Sequence, residues 1–128
     1  MKNYRENTPG AAVAADQRAK ADGGKLDPTL LNNDFVDALE SVNAIYQYGM
    51  IKYERGSWSK VEYKRWDAAV QRHQRKIAQG ITIDDESGLP HLAHVTAGLL
   101  IMLQMEYDAG KLGLDITTFK QPPQDHKK

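Results

Sequence analysis

The chain has 128 residues, enough for one domain built around one core. Its 41% hydrophobic and 27% charged residues place it among globular proteins and outside the disordered, collagen-like and membrane classes. Lys plus Arg and Asp plus Glu number 17 each, so there is no overall basic field to hold a phosphate backbone and no stable nucleic-acid binding is expected. The absence of cysteine removes disulfides, thiolate zinc sites and thiol nucleophiles, and is consistent with a cytoplasmic protein.

Residues 1–24 carry almost no large apolar side chain, so burial cannot repay the entropy of ordering them, and the expectation is a flexible N-terminal arm. Its run Ala11-Ala12-Val13-Ala14-Ala15 is cut short by Asp16, Gln17 and Arg18, before it reaches the length of a secretory apolar region. Lys25-Leu26-Asp27-Pro28 opens the folded part; residues 25–110 form the expected helical domain and 111–128 a C-terminal extension with a polar tail.

Three helices are expected in between. Asp34 is a plausible N-cap for the first, whose Val36, Leu39, Val42, Tyr46, Met50 and Tyr53 recur every three or four residues, with a stop near Arg55-Gly56. Ser59, with Glu62 three residues on, reads as a capping box for the second, whose stripe is Tyr63, Trp66, Val70, His73 and Ile77 and whose end is Gly80. Ile81-Thr82-Ile83 alternates like a strand but is too short to make a sheet alone. The third helix begins between Ser87 and His91, tolerates Pro90 in its first turn and runs to about Asp108 before Gly110. It is apolar nearly all round, hence central; its Leu92–Met105 stretch contains His94 and falls short of the roughly 20 residues a membrane span needs. An all-α bundle of three to four main helices follows. Its central helix is under-covered by two neighbours, and either residues 112–119 or, preferably, another subunit completes the burial.

Chemistry concentrates around the second turn. His73, His91 and His94 fall within one short stretch; His91 and His94 share a helix face, and an antiparallel hairpin brings His73 towards them. Each imidazole taken alone also fits a half-buried residue bonded to a backbone carbonyl. The linker Asp84-Asp85-Glu86-Ser87-Gly88 can simply complement a helix dipole, but carboxylates beside imidazoles can also hold a divalent cation, with oxygen suiting magnesium and mixed donors manganese. Asp37 and Glu40 of the first helix are either solvated surface or inward-facing metal ligands. Lys52, Tyr53 and Trp58 combine cation and aromatics, fit either for packing or for a stacked base with its phosphates, and Arg72 is a second phosphate clamp. Neither a Walker glycine loop nor a Ser-His-Asp signature is evident.

Lys52-Tyr53 through Trp58, Arg72-His73, Gly80 and above all Asp84-Asp85-Glu86-Ser87-Gly88-Leu89-Pro90-His91-Leu92-Ala93-His94 resemble the phage dATP/dGTP diphosphohydrolase family of MazZ type, related to the MazG-like all-α nucleotide pyrophosphohydrolases. The similarity extends over about residues 24 to 108. It implies a MazG-like bundle that hydrolyses dATP or dGTP to the monophosphate and pyrophosphate with Mg2+ or Mn2+, in nucleotide-pool remodelling by phages with aminoadenine DNA, in the host cytoplasm and as a homodimer or homotetramer. On this chain it assigns His73, Asp84, Glu86, His91 and His94 to the metal and catalytic centre, and Lys52 and Arg72 to phosphate contacts. The MazG-like acidic pairs ExxE and ExxD are absent as such; His91 to His94 occupies a position comparable to the second, and Asp37 to Glu40 substitutes for the first. Glu86 is the expected general base, with a histidine as its rival. The competing class is a noncatalytic helical module that binds a nucleotide or a protein and uses its histidines as buried polar packing.

Overall fold

The structure, a computed structural model, describes residues 25–113. The expected arm at 1–24 and, from residue 114 on, the expected extension and tail lie outside the described residues. Among the described residues there are four helices and no strand, an all-α architecture. None of the helices is long and apolar enough to cross a membrane.

The first helix, α1 (Thr29–Asn32), is a single turn. Asp27 accepts from both the backbone amide and the hydroxyl of Thr29, at 3.0 and 2.6 Å, and so starts the turn where Lys25-Leu26-Asp27-Pro28 marks it. Residues 35–113 form a compact unit of their own. It opens with α2 (Val36–Lys52), one residue later than an Asp34 cap requires: the chain is still turning at Asn33 and Asp34, Phe35 flanks the helix, and no side chain caps it. The helix also ends before Arg55. Tyr53 is already extended (φ −139°, ψ 171°) and its ring is exposed, so it drops out of the expected apolar stripe, of which Val42 is the buried member.

Gly56, at φ 82°, then turns the chain into a 3-10 segment, Ser57–Lys60. This segment dissolves the expected capping box: the Ser59 hydroxyl donates back to the Gly56 carbonyl at 2.8 Å, and Glu62, extended, becomes the residue that flanks α3 (Tyr63–Ala78). The Trp58 carbonyl accepts the Trp66 indole N–H at 3.1 Å and ties the segment to α3. Gly80, in the left-handed region, closes α3 in a Schellman motif, its amide reaching Ile77 and the Ile81 amide reaching Lys76. Ile81-Thr82-Ile83 makes no strand but contributes an isolated antiparallel bridge between Ile83 and Pro90. Pro90, extended, flanks α4 (His91–Asp108) rather than standing inside its first turn.

Helix α4 packs against both α2 and α3. The Tyr46 hydroxyl of α2 donates to the Ala97 carbonyl at 2.8 Å, and burial pushes its pKa up to about 12. On the other side, Val95 and Met102 of α4 meet Val70 of α3, with Trp66 packed against the group. Gly98 lies between Val95 and Met102 on that face. A Cβ there would stand 2.5 Å from Val70 Cγ2, so the glycine sets how near the two helices approach. The central position expected for α4 holds on these two sides, where His91, Ala93, Val95, Ala97, Gly98, Ile101 and Met102 are buried. Among the described residues its third side is open: Leu92, Leu99, Leu100 and Leu103 are exposed.

Gly98→Ala tests this close approach. Alanine favours an isolated helix by about 1 kcal/mol, but overpacking against the branched, buried Val70 costs about 1–3 kcal/mol. Urea denaturation is expected to show a net loss of stability.

Candidate functional site

The close packing of α3 on α4 brings the histidines together. Nδ1 of His73 lies 2.8 Å from Nδ1 of His91, the buried first residue of α4. His73 also stacks on His94, with centroids 4.3 Å apart and planes 6° from parallel. Two bare nitrogen lone pairs at 2.8 Å repel, so the His73–His91 gap is filled by one shared proton or by a cation.

The linker supplies the carboxylate, and its local bonds explain why. The Asp84 amide donates to the Leu89 carbonyl at 2.9 Å, the Gly88 amide to the Asp84 carbonyl at 2.7 Å, and the His91 amide to the Thr82 carbonyl at 2.9 Å. Gly88, at φ 75°, allows the reversal. Inside this tight loop Asp84 Oδ2 accepts from both the amide and the hydroxyl of Ser87, at 3.0 and 2.7 Å. Ser87 Oγ also lies 2.8 Å from His94 Nε2 and 3.2 Å from the Leu89 amide. The same His94 nitrogen is 3.4 Å from Asp84 Oδ2. In a Ser-His-Asp triad the serine gives its proton to the imidazole and the carboxylate holds the other ring nitrogen. Here Ser87 gives its proton to the carboxylate, so it is a connector and not a nucleophile.

One donor atom each from His73, Asp84 and His91 lie within 4.8 Å of one another, the one such group among the described residues that could hold a metal ion. Two imidazoles and a carboxylate fit a divalent cation. Burial pushes the His73 and His94 pKa values down, aided for His73 by its histidine neighbours and opposed for both by Asp84. Burial pushes Asp84 up, but the Ser87 bonds and the adjacent imidazoles outweigh it and leave this carboxyl below its usual range. For His73 and Asp84 these shifts favour a neutral ring beside a charged carboxylate, the protonation states that metal ligation requires.

Glu86 stands apart, exposed on the same loop. Its Oε1 accepts from Lys52 Nζ at 3.2 Å and from the Tyr48 hydroxyl at 3.1 Å. Those two bonds, the lysine first, hold its pKa down. Lys52 in turn sits 5.2 Å from the Tyr48 ring centroid and 5.8 Å from that of Tyr53. The remaining expected residues are placed elsewhere. Trp58 is half-buried, and its backbone anchors Trp66. Arg72 lines a shallow hollow of about 360 Å³ with Lys64, Gln71 and Arg75 on α3, whose lining includes none of the histidines. Asp37 and Glu40 are exposed near the start of α2; twelve residues of helix, about 18 Å at 1.5 Å each, separate Glu40 from Lys52. Sequence reasoning missed Tyr48, which was legible as the residue four before Lys52 and so on its face. It also missed the joining role of Ser87, for which the sequence carries no signal beyond position.

Fold and site together define an all-α protein with a candidate divalent-cation centre at the turn of a helical hairpin. The chain belongs to the family described as dATP/dGTP diphosphohydrolase, N-terminal, whose model matches residues 15–113. A dATP/dGTP diphosphohydrolase of Salmonella phage PMBT28 is 35% identical over 83 residues, which make up 65% of this chain and 28% of that protein. The match thus spans less than a third of the relative's length. No solved structure matches the chain.

The depressed pKa values fix how stability depends on pH. The unfolded histidines take up protons near their ordinary 6.5, before the folded ones do. Their contribution is complete above that pH and is lost as pH falls through the lower folded values. Below about pH 4 Asp84 and Glu86 add to the loss. In chelator, the melting temperature is expected to drop between pH 7.5 and 5, and less steeply in His73→Gln.

Proposed function

We propose that the chain hydrolyses a deoxypurine nucleoside triphosphate, dATP or dGTP, to its monophosphate and pyrophosphate, with Mg2+ or Mn2+ held at the cluster around Asp84. The observation that carries this reading is the juxtaposition, at one helical turn, of a His-Asp-His donor set and, on the loop that supplies its Asp84, a second carboxylate held by a lysine, in a chain of this family. Its relative's name, a dATP/dGTP diphosphohydrolase, supports the substrate class.

A divalent cation bound there supplies charge for the phosphates and acidifies a water. The protein's residues do the rest. Glu86 receives both its hydrogen bonds at Oε1, so Oε2 keeps its lone pairs to take a proton from the attacking water. The water oxygen bonds to the α-phosphorus, the bond from that phosphorus to the bridging oxygen breaks, and pyrophosphate departs with the bonding pair. Lys52, already beside Glu86, offers its charge to the leaving phosphates. The exposed Tyr53 ring next to Lys52 is available to stack on a base. Arg72, with Lys64 and Arg75, offers a more distant anionic contact. The role is removal of a deoxypurine triphosphate from a phage-infected cell's cytoplasmic pool.

The test is incubation with each of the four deoxynucleoside triphosphates and either metal, with products resolved by chromatography. Monophosphate and pyrophosphate from a purine substrate are expected, and Glu86→Gln should lower kcat by about 10²–10⁴-fold, the usual worth of a general base. A folded protein that turns over no nucleotide leaves only a binding module.

The open side of α4 points to self-association, and we assign its occupant as a second copy of the chain. Leu92, Leu99 and Leu103 fall on one stripe with Leu100 at its edge, and exposed apolar rows of this kind mark contact surfaces. Light scattering is expected to give a dimer or tetramer that Leu99→Glu dissociates; a monomeric parent chain would rule this out.

A further inference from the structure

Ser87 carries a single proton but stands within bonding distance of three groups: the Asp84 carboxylate, the Leu89 amide and His94 Nε2. A carboxylate can only accept, and an amide N–H can only donate. The Ser87 proton therefore goes to Asp84, and its two lone pairs receive the Leu89 N–H and a proton carried by His94 Nε2. That assignment also explains why the same nitrogen points at Asp84 Oδ2, 3.4 Å away. Nε2, so protonated, has no lone pair for a metal, which leaves Nδ1 as the one donor His94 could offer. His94 is also absent from the group whose donor atoms converge, although it stacks on a member of it. Every hydrogen bond that the described residues offer the Asp84 side chain ends on Oδ2, which leaves the lone pairs of Oδ1 for a cation. The His73–His91 separation of 2.8 Å, in turn, sets two ring nitrogens near enough to share one cation.

We propose that the metal centre takes only His73, Asp84 and His91 from the protein, and that His94 is a positioning residue which, through the Ser87 hydroxyl, fixes the Asp84 carboxylate. Two nitrogen donors and one oxygen then set metal choice. Such a set suits Mn2+ better than Mg2+, whose preference is for oxygen alone. The inference rests on the reading of this cluster as a metal site, not on the identity of the nucleotide.

The experiment is Mn2+ titration of the full chain followed by electron spin echo spectroscopy, which counts coupled imidazole nitrogens without any turnover. The parent protein is expected to show two, His73→Ala and His91→Ala one each, and His94→Gln still two. His94→Gln and Ser87→Ala should weaken Mn2+ binding by about 10- to 100-fold, as loss of a ligand's support does, and Ser87→Thr, which keeps the hydroxyl, should restore it. Three nitrogens in the parent, a nitrogen lost in His94→Gln, or Mn2+ bound through oxygen alone each overturn the assignment, and the parent's count decides even where a variant fails to fold. Nucleotide hydrolysis by a protein with nitrogen-free Mn2+ would sink this proposal and spare the hydrolase reading. Two-nitrogen Mn2+ in a protein that hydrolyses nothing would do the reverse.

Discussion

The distance between the α3 and α4 backbones governs this protein. Imidazole side chains are short, and two of them from different helices meet at 2.8 Å only if those helices run close together. Gly98 permits that approach by leaving room for Val70 two turns along α4 from His91. A glycine inside a helix costs about 1 kcal/mol relative to alanine. The fold accepts that loss at a position where a methyl group would push the helix pair apart. Packing and chemistry are therefore one arrangement: Trp66, Val70, Val95 and Met102 hold the hairpin shut below, and His73, His91 and His94 occupy its turn end.

Charge at that end is sorted by hydrogen bonding. Desolvation lowers the pKa values of the half-buried His73 and His94, while Asp84, half-buried beside them, keeps its charge because the Ser87 amide and hydroxyl are built into the same turn. Glu86, further out, is kept charged by a lysine and a tyrosine of α2. Its ion pair is exposed, and pairs of that kind add little to stability. Its significance is positional: a mobile surface carboxylate is held at one oxygen beside the donor cluster.

The sequence disclosed the helices through their periodicity, since the 3.6-residue repeat of apolar side chains is a property of local geometry and survives without tertiary information. It disclosed the meeting of His73 with His91 and His94 for the same reason, because an antiparallel hairpin follows from two helices and a short linker. Helix starts were less legible. Ser59 and Glu62 have the spacing of a capping box, yet a 3-10 turn set by Gly56 and tied to Trp66 uses the serine differently. Asp34 likewise belongs to the preceding turn. Within the site, the residue types were visible but their division of labour was not. Whether His94 faces a cation or a hydroxyl depends on which atom of a loop residue it meets, and hydrogen-bond direction is not written in spacing. Asp37 and Glu40 have the spacing of ligands as well, but they lie near the far end of α2 from the cluster.

The donor cluster draws its three residues from a single stretch, 73 to 91, closed by a loop that bonds to itself. The entropy of joining the ends of so short a segment is small and grows only slowly with length. Glu86 depends on partners 34 and 38 residues away along the chain, through contacts on the surface. The two halves of the site thus differ in how they would come apart. When α2 detaches locally, Glu86 loses Lys52 and Tyr48 while the hairpin and its donors persist, so the molecule can pass through a form that keeps its donor cluster assembled but has surrendered its oriented carboxylate.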